Sequence, residues 1–257
     1  QGATFAGEQL TGLTLAVTGV AGGAAETLAI TTAAGGGTTT LSGLTLTNAV
    51  TTITGTANAD TIVATAGNDT IDAGAGNDIL TIGAGTNILT FDTGDASATE
   101  AIPDLNSGGG TNTFSIVTSE DFDGDIVPNG GAANDVLTGL DTIAIAANQG
   151  ATFAGEQLTG LTLAVNGAGG GADEVLTINT VAGGGTTTLS ALTLTGAATS
   201  IVGTTGNDVI VRAGAGNDTF DAGAGNDTLT IGAGTNILNF DTGDASATEA
   251  IPDLNSG

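Results

Sequence analysis

Residues 55–90 read GTANADTIV, ATAGNDTID, AGAGNDILT and IGAGTNILT, four nonapeptides in succession. Asp60, Asp69, Asp78 and Asn87 stand at the sixth place of each, and Ile62, Ile71, Leu80 and Leu89 at the eighth. The Gly-rich half of each nonapeptide suits a tight turn, because glycine accepts positive φ and close backbone approach. The other half, DTI or DIL, is a three-residue strand with one apolar side chain turned inward. Two nonapeptides close one coil of about 18 residues, whose turns alternate between two edges. Asp60 and Asp78 share one edge, and Asp69 and Asn87 the other. Successive coils stack about 4.8 Å apart, and no coil buries its apolar face alone. The fold class expected is all-β, a parallel β-solenoid.

The pattern returns from residue 203 to 238, with Asp208, Asp218, Asp227 and Asn236 in the sixth place and one extra residue in the first gap. A single further match, GGAANDVLT at 130–138, carries Asp135. A turn rich in backbone carbonyls and holding one Asp is a nest of hard oxygen ligands, the chemistry that Ca²⁺ prefers. A cation between successive turns on one edge can draw on both. The candidate metal residues in the first block are Asp60, Gly67, Asn68, Asp69, Gly74, Gly76, Asn77, Asp78 and Asn87. In the second they are Gly206, Asn207, Asp208, Gly216, Asn217, Asp218, Gly223, Gly225, Asn226, Asp227 and Asn236, and Asp135 stands apart.

These stretches resemble the RTX, or haemolysin-type, calcium-binding nonapeptide G-G-x-G-x-D-x-U-x of secreted bacterial proteins. The resemblance implies a β-roll, several bound calcium ions and an extracellular, cell-surface location reached by type I secretion. It covers 55–90 and about 203–238. The first turns lack the paired glycines, and Asn87 and Asn236 replace the carboxylate, so the last site of each block is expected to be weaker or to act as a cap.

Composition agrees with a need for cations. Twenty-seven acidic residues face one basic residue, Arg212, for a formal charge of -26, while 40% of residues are hydrophobic. Such charge opposes compaction, but the apolar content is that of a folding chain. With no His, Cys or Lys, the chain lacks an imidazole base, a thiolate and an amine nucleophile, and no enzyme is expected. Nucleic acid is a poor partner without basic clusters, and no apolar run spans a bilayer, so no membrane insertion is expected.

A longer repeat encloses the short one. Residues 1–17 recur unchanged at 149–165, and 91–108 at 240–257; the extra residue of the second copy falls near Val211–Ala213. Arg212 there reads as a surface bulge, with neutralisation of nearby carboxylates as the alternative. The organisation expected is a Thr/Gly-rich β-segment at 1–54, a roll at 55–90, an acidic linker and β-segment at 91–148, a second Thr/Gly-rich segment at 149–202, a second roll at 203–239 and the start of another acidic segment at 240–257. The whole looks like a window cut from a longer array. Outside the rolls, strands are expected at 13–17, 27–31, 44–47, 51–55 and 141–145, with almost no helix. Spacings of about 15 to 18 residues between their centres favour further coils over β-sandwich-like segments between the rolls.

SEDFDGDIV at 119–127 places Asp121, Asp123 and Asp125 beside Glu120 around a Gly turn, either another calcium site or a solvated acidic turn. Asp92, Asp95, Glu100 and Asp104 pose the same choice. The function expected is structural: a calcium-stabilised rod of a bacterial surface layer, filament or adhesin stalk, self-associating into a fibre or sheet. The alternatives are an ice- or glycan-binding adhesin region, with contact to glycan or cell surface, and the calcium-binding secretion region of a larger toxin or protease.

Overall fold

A computed structural model describes residues 2–19, 26–92, 100–102, 110–124, 126–128, 136–169, 173–180 and 183–240. The chain forms two compact units, Gln1–Val117 with Asp125–Ala133 and Thr138–Asp141, and Thr118–Gly124 with Asn134–Leu137 and Thr142–Gly257. The division falls at 117/118, not at the repeat boundary, because Glu120–Asp121 pairs in parallel with Ala151 and Thr152 of the second copy.

In the first unit one parallel sheet runs through Ala3–Ala6, Glu26–Thr31, Ala49–Thr54, Asp69–Asp72, Thr86–Phe91 and Thr111–Ile116. A second parallel sheet runs through Gly37–Thr40, Asp60–Val63, Ile79–Thr81, Glu100–Ile102 and Ile126–Pro128. Register stacks like on like: Ile30, Ile53, Ile71, Leu89 and Phe114 form one inward ladder, and all five are buried. Ile62 and Leu80 stack on the facing sheet. Each such side chain contributes about 1.5–3 kcal/mol of burial. The apolar eighth position is therefore the core of the roll.

The Thr/Gly-rich segments are also parallel coils, but larger ones. Leu15–Thr18 and Leu44–Thr47 pair to make a third wall, so these coils have three sides where the nonapeptide coils have two. Leu15 stacks on Leu44, not on Ile30. The expected spacing of 15 to 18 residues thus joined strands of different walls, and these coils are longer than the 18-residue pitch of the rolls. No β-sandwich occurs among the described residues. One-turn helices at Gly7–Leu10 and Gly155–Leu158 were not foreseen. Each is held by a glutamine: Gln9 Oε1 accepts the Ala6 N–H, and Gln157 Oε1 accepts that of Ala154.

The second unit repeats the plan. Gly150–Ala154, Val175–Asn179, Ala198–Thr204, Asp218–Gly223 and Ile237–Asn239 form one parallel wall, with Phe153, Ile178, Ile201 and Phe220 as its inner ladder. Thr186–Thr188, Val209–Arg212 and Thr228–Ile231 form the wall opposite.

Candidate metal centres

Alternation along a strand puts residues i and i+2 on the same face. The Asp at position six therefore points inward with the Ile or Leu at position eight. Asp60, Asp69, Asp78, Asp208, Asp218 and Asp227 are all buried. A carboxylate in that position must be served by donors or a cation.

Coil-to-coil bonds confirm the two edges. Asp78 Oδ1 accepts the Asp60 backbone N–H at 2.6 Å, and Asn87 Oδ1 accepts that of Asp69 at 3.2 Å. The second roll repeats them, Asp227 Oδ1 to the Asp208 N–H at 2.8 Å and Asn236 Oδ1 to the Asp218 N–H at 3.1 Å. The asparagines do more than accept. Asn87 Nδ2 donates to Gly83 O at 3.0 Å, and Asn236 Nδ2 to Gly232 O at 2.9 Å. An amide N–H thus reaches a turn carbonyl, a bridge that a bare carboxylate has no proton to make. The coils do not end at Asn87: Thr86–Phe91 pairs on to Thr111–Ile116, and Asn87 Nδ2 also donates to Asn112 Oδ1 at 3.1 Å.

Threonine accounts for the turns without paired glycines. Thr56 donates its N–H and its hydroxyl to Asp60 Oδ2, each at 2.9 Å, and Thr204 does the same for Asp208 at 2.8 and 2.9 Å. Thr65 donates to Asp69, which also receives the hydroxyl of Thr51 from the coil before; Thr199 serves Asp218 likewise. These threonines were not read as site residues. Their signal was present: Thr56, Thr65 and Thr204 stand four residues before an Asp, where later turns carry Gly74 and Gly223.

The fit to calcium rests on what these donors leave over. Asp60 Oδ1, Asp208 Oδ1 and Asp218 Oδ2 are buried and accept no hydrogen bond. The turns supply carbonyl oxygens at close quarters: a Cβ on Gly85 would strike Gly67 O, and one on Gly225 would strike Gly206 O. Gly74 (φ 77°) and Gly76 (φ 145°) adopt backbone that side chains resist. Hard oxygens, a spare carboxylate oxygen and a glycine-lined cradle match the needs of Ca²⁺. Asp60 with Asp78 would hold an ion in the first roll, and Asp208 with Asp227 in the second; at Asp69 both carboxylate oxygens accept the Thr65 hydroxyl, so an ion beside Asn87 would have to displace that bond. The ion supplies the positive charge that buried carboxylates lack.

Other candidates are placed differently. Asn68, Asn207 and Asn217 accept backbone N–H groups of the next coil, from Thr86, Asn226 and Thr235, and so stitch turns together. Asn77, Asn226 and the glycines Gly67, Gly206, Gly216 and Gly223 line the turns. Asp121 Oδ1 accepts the Asp123 N–H at 3.1 Å, and Asp123 Oδ2 accepts Asn179 Nδ2 at 2.9 Å. No group of three carboxylates gathers among the described residues. Asp95, Asp104, Asp125 and Asp135 lie outside them.

Electrostatics follow burial. Burial pushes the Asp69 carboxyl above its ordinary range, against the Thr51 and Thr65 hydrogen bonds. Burial first, then the charge of Asp92, raises Asp72. Asp218 is raised by burial despite Thr199 and Arg212, and burial lowers Arg212 despite Asp218.

Arg212 corrects a sequence-based expectation. It is not a surface bulge but fully buried, with Nε 3.4 Å from Asp218 Oδ1 and Nη2 donating to Ala215 O at 3.1 Å. The extra residue of this turn leaves room for the guanidinium.

Residues 54–89 and 195–229 match the family model of the RTX calcium-binding nonapeptide repeat, which describes four copies. No curated protein matches the chain, and no solved structure does. The matched stretches hold the Asp60, Asp69, Asp78, Asp208, Asp218 and Asp227 turns; the Asn236 turn lies beyond the second match. The chain carries RTX repeats, which bind several calcium ions and are typical of secreted proteins. No helix among the described residues is long and apolar enough to cross a membrane.

Proposed function

We propose, from RTX calcium-binding repeats stacked as parallel coils, that this chain is a structural segment of a secreted surface assembly: a calcium-stiffened rod in a surface layer, filament or adhesin stalk. It acts by stiffness and length and performs no catalysis.

One observation carries the reading. Residues 2–17 and 150–165 are identical and fold alike, yet they are covered differently. Phe5 is 37% exposed and Leu15 43%, whereas Phe153 is 0% and Leu163 2% exposed. In the second copy the cover is the chain just before it. Phe122 stacks on Phe153 at 4.7 Å, its N–H donates to Thr152 O, and its carbonyl accepts Gln157 Nε2 at 3.0 Å. Leu140–Ile145 pairs with Leu163–Gly167. The residues that cover the second copy, 120–122 and 142–145, thus carry the chemistry of a contact between successive copies of this repeat. Contacts of that head-to-tail kind grow rods when the rotation from copy to copy does not close a ring. Calcium holds the rolls against a charge of -26.

Electron microscopy of the native material in calcium and in chelator tests this. Rods or sheets in calcium that disperse in chelator are expected. A monomer at every concentration in calcium refutes the reading.

A further inference from the structure

The first turns of the two rolls match, Thr56 on Asp60 and Thr204 on Asp208, but the second turns differ in chemistry. In the first roll, the turn before Asp69 reads ATAGN, and the Thr65 hydroxyl donates to both carboxylate oxygens, at 2.8 and 3.0 Å. In the second, the turn before Asp218 reads RAGAGN, one residue longer, and the threonine's place four residues before the Asp is taken by Gly214. The room a side chain would need at Gly214 is filled by Arg212 Nη1, and that at Gly216 is approached by Arg212 Nη2 at 3.0 Å. The guanidinium therefore lies inside the turn. It faces a buried carboxylate through Nε and a turn carbonyl, Ala215 O, through Nη2. A carboxylate and a backbone carbonyl converging on a positive charge within a glycine turn is the ligand environment that a calcium ion takes in such turns. Arg212 is the only basic residue in the sequence.

We propose that Arg212 is a tethered stand-in for a calcium ion at Asp218, so that the second turn of the second roll is charge-neutral and folds without metal. The matching turn of the first roll has only neutral donors around Asp69, from Thr51 and Thr65, and gains its positive charge from outside. The chain thus holds one metal-independent turn in a calcium-dependent fold. That turn stays ordered when calcium is scarce and gives the second roll a nucleus from which coils refold as metal returns. In a stacked array, order spreads from a stable repeat to its neighbours.

The test is hydrogen–deuterium exchange by mass spectrometry on the full chain, in calcium and in chelator, with calcium stoichiometry measured by equilibrium dialysis. Two variants accompany the parent chain. One is Arg212→Gln; the other replaces Arg212–Ala215 with Ala-Thr-Ala, the turn that the first roll already folds. In chelator the parent's amides at 209–223 should stay protected while those at 60–72 exchange. Both variants should lose that protection by about a hundredfold or more, since each leaves the Asp218 charge buried without its partner. Calcium should restore protection in both, with one more ion bound per chain than in the parent. Equal loss from 60–72 and 209–223 in the chelated parent overturns the proposal. So does a variant whose lost protection calcium fails to restore, because Arg212 would then be a packing element and not a cation site. Because the inference rests on the calcium reading, the 60–72 amides act as its control: if they stay protected in chelator, calcium dependence itself fails, whatever Arg212 does.

Discussion

Replacing Asp78 with Ala removes the acceptor of the Asp60 N–H, a 2.6 Å bond between two buried groups one coil apart. A hydrogen bond to a charged acceptor contributes about 1.5–3 kcal/mol, and a buried N–H left without a partner costs about 1–3 kcal/mol. These describe one loss seen from two sides, so Asp78→Ala should cost about 2–3 kcal/mol before any metal is counted. Asp78→Asn separates the contributions. It keeps the oxygen that accepts the N–H, as Asn87 does for Asp69, but removes the charge. In chelator the Asn variant should be as stable as the parent or more so, since one buried negative charge is gone, while the Ala variant is destabilised. In calcium both variants should be weaker, because a carboxylate ligand is lost. Urea unfolding followed by far-ultraviolet circular dichroism, in calcium and in chelator, reads all four values. If Asn and Ala unfold alike in chelator, the coil-to-coil bond does not carry the stability assigned to it. Asp92→Ala, past the Asn87 turn, is the control for metal. Calcium titrations of Asp78→Ala and Asp92→Ala that coincide would remove position six from the ligand set.

Excess chelator should abolish most of the β-type circular dichroism signal, and Mg²⁺ should restore it poorly because it demands a tighter octahedral shell; an unchanged spectrum in chelator contradicts calcium dependence. Gly74→Ala and Gly12→Ala meet similar backbone, φ 77° and 72°, but a Cβ on Gly74 strikes Thr56 O of the preceding coil while one on Gly12 meets nothing. The Gly12 variant should cost about 1–2 kcal/mol and the Gly74 variant clearly more, as judged by urea midpoints; equal costs would mean that the coils do not approach as described. In chelator, acid should substitute in part for metal. Asp69, Asp72 and Asp218 have folded-state pKa values raised above 3.8, so the folded chain binds protons more tightly than the unfolded one. Their contribution is fully favourable below that ordinary value and is lost as pH rises through the raised ones. The metal-free chain should therefore gain β structure as pH falls from neutrality towards 4, and a loss of structure over that window refutes the sign.

Much of this protein is legible from the nine-residue period. Asp at position six and Ile or Leu at position eight, with glycine between, imply parallel coils of 18 residues, two edges and hard-oxygen turns, because strand alternation and glycine's backbone freedom are local properties. The register from Ile53 to Ile71 to Leu89 follows from them. Tertiary structure decided what depends on neighbours one coil away. The Thr/Gly-rich coils have a third wall because Leu15 pairs with Leu44, a choice among several equally alternating runs that only packing resolves. Thr51 and Thr199 serve aspartates 18 and 19 residues ahead, and no local pattern marks them among so many threonines. Arg212 looked like a charge at an insertion, and charges at insertions usually face water. It lies inside because Gly214 and Gly216 leave a space beside Asp218 that only the folded turn encloses.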